Sequence, residues 1–371
     1  MPVSHSRINI NFGAGPGMLP ASVLQEVHDQ WFDYEGSGLP LVEHSHRGEL
    51  WEALQAECIR LVREVGKVPD THEVLLMPGG ATLQFALVPM NLLTAESSGE
   101  SGDYVIAGRW SEKAHKLALD TGKRVRIAGT SKADDFRTLP SLDLDAGARY
   151  VHICLNNTVA GTQWNALPDT GDVPVVGDMT SDILSRPIDW PRYDAVYAGA
   201  QKNLGIAGMT VVVVRKTALE RCQKLPEMLS WSAFAKTASL PNTPPMMQVW
   251  VTKLMLEWTR DEGGIAAMAA RSAEKAAAVY AAIDRHPRVY IGRALPAQRS
   301  QMNVVFNLPT PDLEQRFVRE AAAAGFVGVA GHRTQGGIRI SLYNPVPVEG
   351  AKALAHFMDE FAEAVGGASG E

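Results

Sequence analysis

Residues 198–214 read AGAQKNLGIAGMTVVVV: one lysine, Lys202, among small residues, then an apolar run. The run, closed by Arg215 in TVVVVR (210–215), is β-branched with no polar face, so a strand covered on both sides is expected. HEVLLM (72–77), DYVIAG (103–108), RVRIAG (124–129), YVHICL (150–155) and VPVVGD (173–178) have the same character. Helical spacing marks ASVLQEVHDQWF (21–32) and ELWEALQAECIRLVREVG (49–66). Buried strands alternating with helices from about residue 70 to 215 imply an α/β fold with a mainly parallel mixed sheet flanked by helices.

Beyond that sheet, residues 242–286 carry two helical patterns broken at Gly263–Gly264. From residue 288 the order becomes strand RVYIG, strand MNVVFNL, helix PDLEQRFVREAAAAG, strand GIRISLY and helix VEGAKALAHFMDEFAEAV, a smaller α+β unit. The expected division is a segment 1–20 near the small domain, a large domain 21–260 and a small domain 261–371. The Gly/Ser tail VGGASGE is expected to fray.

At 371 residues, 46% hydrophobic and 20% charged, the chain is a globular protein too long for one ordinary core. A net charge of −6 without a local Lys/Arg run disfavours nucleic acid as a partner. Cys58, Cys154 and Cys222 never fall in C-x-x-C spacing, so neither a disulfide framework nor a zinc site is indicated, and a reducing compartment fits. MPVSHSRINI has no apolar signal region, and no stretch of about 18 apolar residues occurs, so the cytoplasm is the expected location and membrane is not.

In an open parallel sheet, ligands sit beyond the carboxyl ends of the strands. There Gly79, Gly80, Ala81 and Thr82 lead from strand into helix, leaving backbone N–H groups suited to a phosphate, or simply making a turn. The segment is neither G-x-x-x-x-G-K-[ST] nor G-x-G-x-x-G, so ATP and dinucleotide lose their fingerprints. Asp178 ends one strand, and the interval to Lys202 holds a crossover and another strand. The two are either a buried ion pair or the carboxylate and amine that pyridoxal phosphate needs beside a phosphate cup. Trp110, also after a strand, either stacks on a cofactor ring or fills space. The segments HSHRG and GHRTQGGIR gather Arg47, Arg333 and Arg339 with His46 and His332, a set suited to a dianion. His44 is expected in solvent, and with no third ligand at useful spacing a metal is not indicated.

The strings NFGAGPGMLP, EHSHRGELW, GGATLQFALVPMNLL, NNTVAGTQW, AGAQKN, NTPP, RSQMNVVF and GHRTQGGIRISLYN together resemble the phosphoserine aminotransferases along nearly the whole chain. The resemblance implies a fold-type I enzyme using pyridoxal phosphate, a homodimer with its active site at the subunit interface, making O-phospho-L-serine from 3-phosphohydroxypyruvate and glutamate. It implies Lys202 as the Schiff-base lysine, Asp178 as partner of the ring nitrogen and Trp110 as the stacking residue. Ala81, Thr82 and Gln201 would hold the phosphate, Thr158 the ring oxygen, and Asn242 and Thr243 the phosphate across the dimer. Arg339 would take the substrate α-carboxylate, and His46, Arg47, His332 and Arg333 its distal phosphate or carboxylate.

The chain departs from that family pattern at Gly13–Ala14, where a hydroxyl is lost, and at Pro241, where a tyrosine is common. Competing readings are an aminotransferase for another small acid such as glyoxylate, a desulfurase, which needs a mobile reactive cysteine, and a non-catalytic binding protein of the same fold.

Overall fold

The valine run lies second from one edge of a seven-stranded sheet. This computed structural model describes residues 9–94, 99–333 and 335–367. Most of MPVSHSRINI and the last four residues of the Gly/Ser tail lie outside them. Across the sheet the strands are His72–Pro78, Met209–Arg215, Tyr193–Gly199, Val175–Asp178, Val151–Cys154, Gly102–Ile106 and Val125–Thr130. Met209–Arg215 is antiparallel to both neighbours, and every other adjacent pair is parallel.

Successive strand residues point to opposite faces, so the valines divide between two cores. Val211 and Val213 join Val74, Leu76, Val196 and Ala198 against helices Glu49–Gly66 and Met246–Asp261. Val212 and Val214 join Leu75, Met77, Ala195 and Tyr197 against helices Ala81–Leu92 and Arg109–Asp120. Burying each valine contributes roughly 1.5–3 kcal/mol, and a run with polar residues on one side could not sit here.

Two strands differ from expectation. Val125–Thr130, read as covered on both faces, is the outer edge, and Ile127 is 48% exposed. An apolar run does not reveal which strand topology leaves at the margin. Tyr193–Gly199, implied only as an unlocated strand before Lys202, is buried throughout; Asp194 interrupts its apolar pattern, and Arg215 and Arg221 pair with it at 3.1 and 2.6 Å.

A third core joins helices Gly264–Arg285, Pro311–Ala323 and Val348–Gly367 to an antiparallel sheet ordered Ile291–Gly292, Asn303–Asn307, Gly336–Ser341 and Ala330–His332. Ile10–Asn11 pairs with Phe326–Val327, and Phe12 enters the same core. The break before helix Gly264–Arg285 has a backbone cause: Gly263 and Gly264 have φ of +100° and +70°, which L-residues rarely adopt.

Candidate active site

The carboxyl ends of Tyr193–Gly199, Val175–Asp178 and His72–Pro78 open on one cavity of about 510 Å³, closed by residues 14–16 and by His332 and Arg339 of the small sheet. It is lined by Ala81, Thr82, Trp110, Thr158, Asp178, Gln201, Lys202, His332 and Arg339, so nine of the residues singled out from the sequence meet here.

Lys202 sits on the loop joining Tyr193–Gly199 to Met209–Arg215 and is 7% exposed. It does not snorkel to water. Its stem runs beside the N-terminal segment, where a Cβ on Gly15 would lie 3.5 Å from Lys202 Cε and one on Gly17 would lie 3.1 Å from the Lys202 carbonyl oxygen. The small residues of NFGAGPG thus let two backbones meet around one side chain. Lys202 Nζ stands 5.9 Å from the Tyr343 ring centroid.

Asp178, at the end of its strand, accepts the Thr180 N–H on Oδ1 at 2.9 Å. Burial raises its carboxyl pKa above the ordinary range although the Thr180 hydrogen bonds and the Lys202 charge pull the other way. A buried acid in that state is stabilised by a cationic partner. Cys154 Sγ lies 3.9 Å from Asp178 Oδ2; burial and that carboxylate push its thiol far up. Burial also raises Cys58, and Cys222 to about 11. Burial thus disfavours at all three thiols the thiolate form that a desulfurase uses.

Helix Ala81–Leu92 has Gly80 as its N-cap with no side-chain cap, and Gly80, Ala81 and Thr82 line the cavity at the positive end of the helix dipole. Gly199 keeps this corner open: a Cβ there would fall 2.6 Å from Gln201 Oε1 and 3.4 Å from Ala81 N. Trp110 Nε1 donates to Thr158 Oγ1 at 3.2 Å, which fixes the indole on the cavity wall. The corner sets a helix N-terminus, suited to an anion, beside a flat aromatic face.

At the mouth, Arg339 Nη1 donates to the Thr158 carbonyl at 3.4 Å, while its buried Nε has no partner. Burial lowers its pKa from an arginine's usual value. A guanidinium left half-satisfied on a cavity wall suits a carboxylate. His332 is lowered by burial and by the charges of Arg339, Arg109 and Arg333. Arg109, which the sequence reading passed over, opens helix Arg109–Asp120, where the dipole disfavours a cation. Glu112 at 3.5 Å partly offsets that. An arginine one residue before a cavity tryptophan, at the wrong helix end, was the available signal.

The remaining expected residues do not line this cavity. Arg333 is exposed. His46, Arg47, Asn242 and Thr243 lie together elsewhere on the chain's surface, Thr243 Oγ1 standing 3.4 Å from His46 Nδ1. Within one chain, therefore, HSHRG and GHRTQGGIR do not form a single cluster, because residues 46–47 belong to a surface loop ahead of helix Glu49–Gly66 and not to a strand end at the cavity. His44 is half-buried instead of solvated, bonded to Ser37 Oγ at 2.9 Å. Ala14 does reach the site, and its carbonyl accepts the Tyr343 hydroxyl at 2.8 Å.

A lysine at a strand-end loop, a buried acid across the cavity and a helix N-terminus suited to an anion define an aminotransferase-type site, and residues 10–354 match the family model Aminotransferase class-V. The chain belongs to that family. Within it the chain groups with the phosphoserine aminotransferases: it is 45% identical over 357 residues to that of Lysinibacillus sphaericus, covering 95% of this chain and 98% of the relative. The solved phosphoserine aminotransferase of Bacillus circulans subsp. alkalophilus superposes with a TM-score of 0.92 at 40% identity, over 97% of this chain and 99% of that one. The PLP-bound phosphoserine aminotransferase of Trichomonas vaginalis superposes with a TM-score of 0.89 at 34% identity, over 94% and 99%. The donor set here suits pyridoxal phosphate: buried amine, an acid wanting a cation, uncapped N–H groups for the phosphate and an indole face for the ring.

Proposed function

We propose that this chain transfers the amino group of L-glutamate to 3-phosphohydroxypyruvate, yielding 2-oxoglutarate and O-phospho-L-serine, with pyridoxal phosphate as cofactor, a step of serine biosynthesis. One observation carries the reading: buried Lys202 and buried Asp178 line the same cavity as Arg339, whose Nε lacks a partner.

When bound, the cofactor supplies an electron-withdrawing ring that makes the amino acid's α-proton removable. The chain's own residues do the rest. Ala81, Thr82 and Gln201 would hold the cofactor's phosphate, Thr158 and Trp110 its ring, and the Asp178 carboxylate would favour a protonated ring nitrogen. Arg339 clamps the α-carboxylate of either amino acid. Lys202 Nζ takes the α-proton and carries it within the cavity, where burial excludes water that would compete for it. His332, with Arg333 and Arg109 around it, receives the distal carboxylate of glutamate or the phosphate of phosphoserine.

The reading includes a homodimer in which Asn242, Thr243, His46 and Arg47 serve the second copy's cavity. Their common surface location supports it, as do Trp31, Phe32, Leu39 and Val42, exposed apolar side chains on the stretch before His46, Phe32 being 80% exposed. The domain division near residue 260 is supported by the separate small-domain core, and a cytoplasmic location by composition. Among the described residues no helix is long and apolar enough to cross a membrane.

The test is an assay of the purified, cofactor-loaded protein with glutamate and either 3-phosphohydroxypyruvate or the oxo precursor of phosphohydroxythreonine. Phosphoserine formation that outpaces transfer to glyoxylate is expected. Faster transfer to glyoxylate, or a protein that gains no visible band reducible by borohydride, overturns the reading.

A further inference from the structure

Among the described residues one other lysine is buried. Lys275, on helix Gly264–Arg285, is 0% exposed, more deeply placed than Lys202. Keeping an ammonium in an apolar interior is costly unless it is bonded. Burial, with the charge of Arg271, pushes its amine down to about 7. Its Nζ donates to the carbonyl of Tyr343 at 2.7 Å. The steps described above make no use of it.

Both buried lysines face Tyr343: Lys202 Nζ stands over its ring, 5.9 Å from the centroid, and Lys275 Nζ bonds its carbonyl. Its hydroxyl holds the Ala14 carbonyl on the cavity wall. Its ring leaves so little room that a Cβ on Gly17 would meet it at 3.0 Å. The next residue, Asn344, takes its N–H to Asn203 Oδ1 at 3.0 Å, beside Lys202 in the chain. Tyr343 is thus wedged between the N-terminal lip of the cavity and the lysine loop, and a small-domain helix grips its backbone.

We propose that Lys275 is a positioning residue for the transamination: by holding the Tyr343 backbone it sets the tyrosine against Ala14 and Lys202, and so fixes where the Lys202 amine stands. The proposal rests on Lys202 being the reacting amine. The Tyr343 carbonyl also accepts the Val346 N–H at 2.9 Å, so it stays bonded when the lysine is replaced, and such variants should fold.

The experiment compares cofactor-loaded wild type with Lys275→Met, Lys275→Gln, Tyr343→Phe and the Met/Phe double variant. It reads kcat and KM for glutamate and phosphoserine, the pH midpoint of the visible absorbance change at Lys202, and the melting temperature. Misplacing a reacting group by a fraction of an ångström predicts a kcat about tenfold lower in Lys275→Met, with KM within about twofold and a displaced midpoint. Lys275→Gln, which keeps an N–H donor, should recover most of both. Tyr343→Phe should displace the midpoint in the same direction, and the double variant no further than the larger single change. A Lys275→Met protein that melts lower yet keeps wild-type kcat and midpoint overturns the proposal and makes Lys275 a core residue only. If that variant does not fold, an unchanged midpoint in Tyr343→Phe overturns it equally. A wild type without activity or visible band would instead bring down the functional reading, and this proposal with it.

Discussion

At the floor of the cavity, Lys202 and Asp178 are buried and stand at or just past strand ends whose hydrogen bonding fixes them on both sides. At the mouth, Arg109 and Arg333 are exposed and His332 is half-buried, whereas His46 and Arg47 lie on a loop away from it. The floor works by dehydration, which a single chain's sheet delivers. The mouth carries positive charge collected from separate segments and left open to salt and solvent, which on the proposed function would select the substrate. Substitutions at the floor should therefore change the rate of proton movement for every substrate, and substitutions at the mouth should change which substrate is preferred.

The largest effect is expected from Lys202→Ala. Its side chain faces the cavity, so the fold should survive with a melting temperature close to wild type, while transamination of glutamate falls by about 10⁴-fold or more. Appreciable turnover in that variant would remove the floor from the chemistry. Asp178→Asn comes next, with kcat down by roughly 10²–10³-fold for all substrates. Because burial makes the carboxylate unfavourable in the cofactor-free protein, the same variant should leave the apoprotein as stable as wild type or more so near neutral pH. Activity and apoprotein stability moving down together would contradict the account of Asp178.

Arg109→Gln should act at the mouth alone: kcat/KM for phosphoserine falls by about tenfold or less, a deficit that shrinks as salt is added, while alanine, which lacks a distal anion, is used no worse than by wild type. Equal losses on both amino acids would erase the distinction between floor and mouth. The smallest effect concerns His332. Burial and three arginines lower its pKa from 6.5; an arriving dianion screens those charges and raises it again, so binding takes up a proton. Affinity for phosphoserine should thus strengthen as pH falls through His332's bound-state pKa toward its lower free-state value, and His332→Asn should flatten that slope in a calorimetric titration.

Helix Glu49–Gly66 and the break at Gly263–Gly264 were legible because each rests on local rules, an apolar stripe in one case and a backbone only glycine tolerates in the other. Tyr193–Gly199 was harder, since its buried Asp194 is tolerable only beside Arg215 and Arg221, which a linear reading does not bring together. The exposed margin at Val125–Thr130 follows from strand order, a property of the whole sheet. For the site, residue chemistry alone narrowed Lys202 and Asp178 to an ion pair or a cofactor pair, and the family resemblance separated the two. Arg109 escaped both routes: its neighbourhood with His332 exists only once the small sheet closes on the large one.

The antiparallel placement of Met209–Arg215 reaches further than sheet order. Gly79, just ahead of the helix N-terminus at the cavity, is bonded both to Gly208 and to Thr210, the latter 131 residues along the chain. That corner cannot be completed until the ribosome has delivered the chain through that strand, so the vitamin-derived cofactor cannot template early folding. A nascent chain halted before residue 209 should therefore neither retain the cofactor nor be rescued by an excess of it.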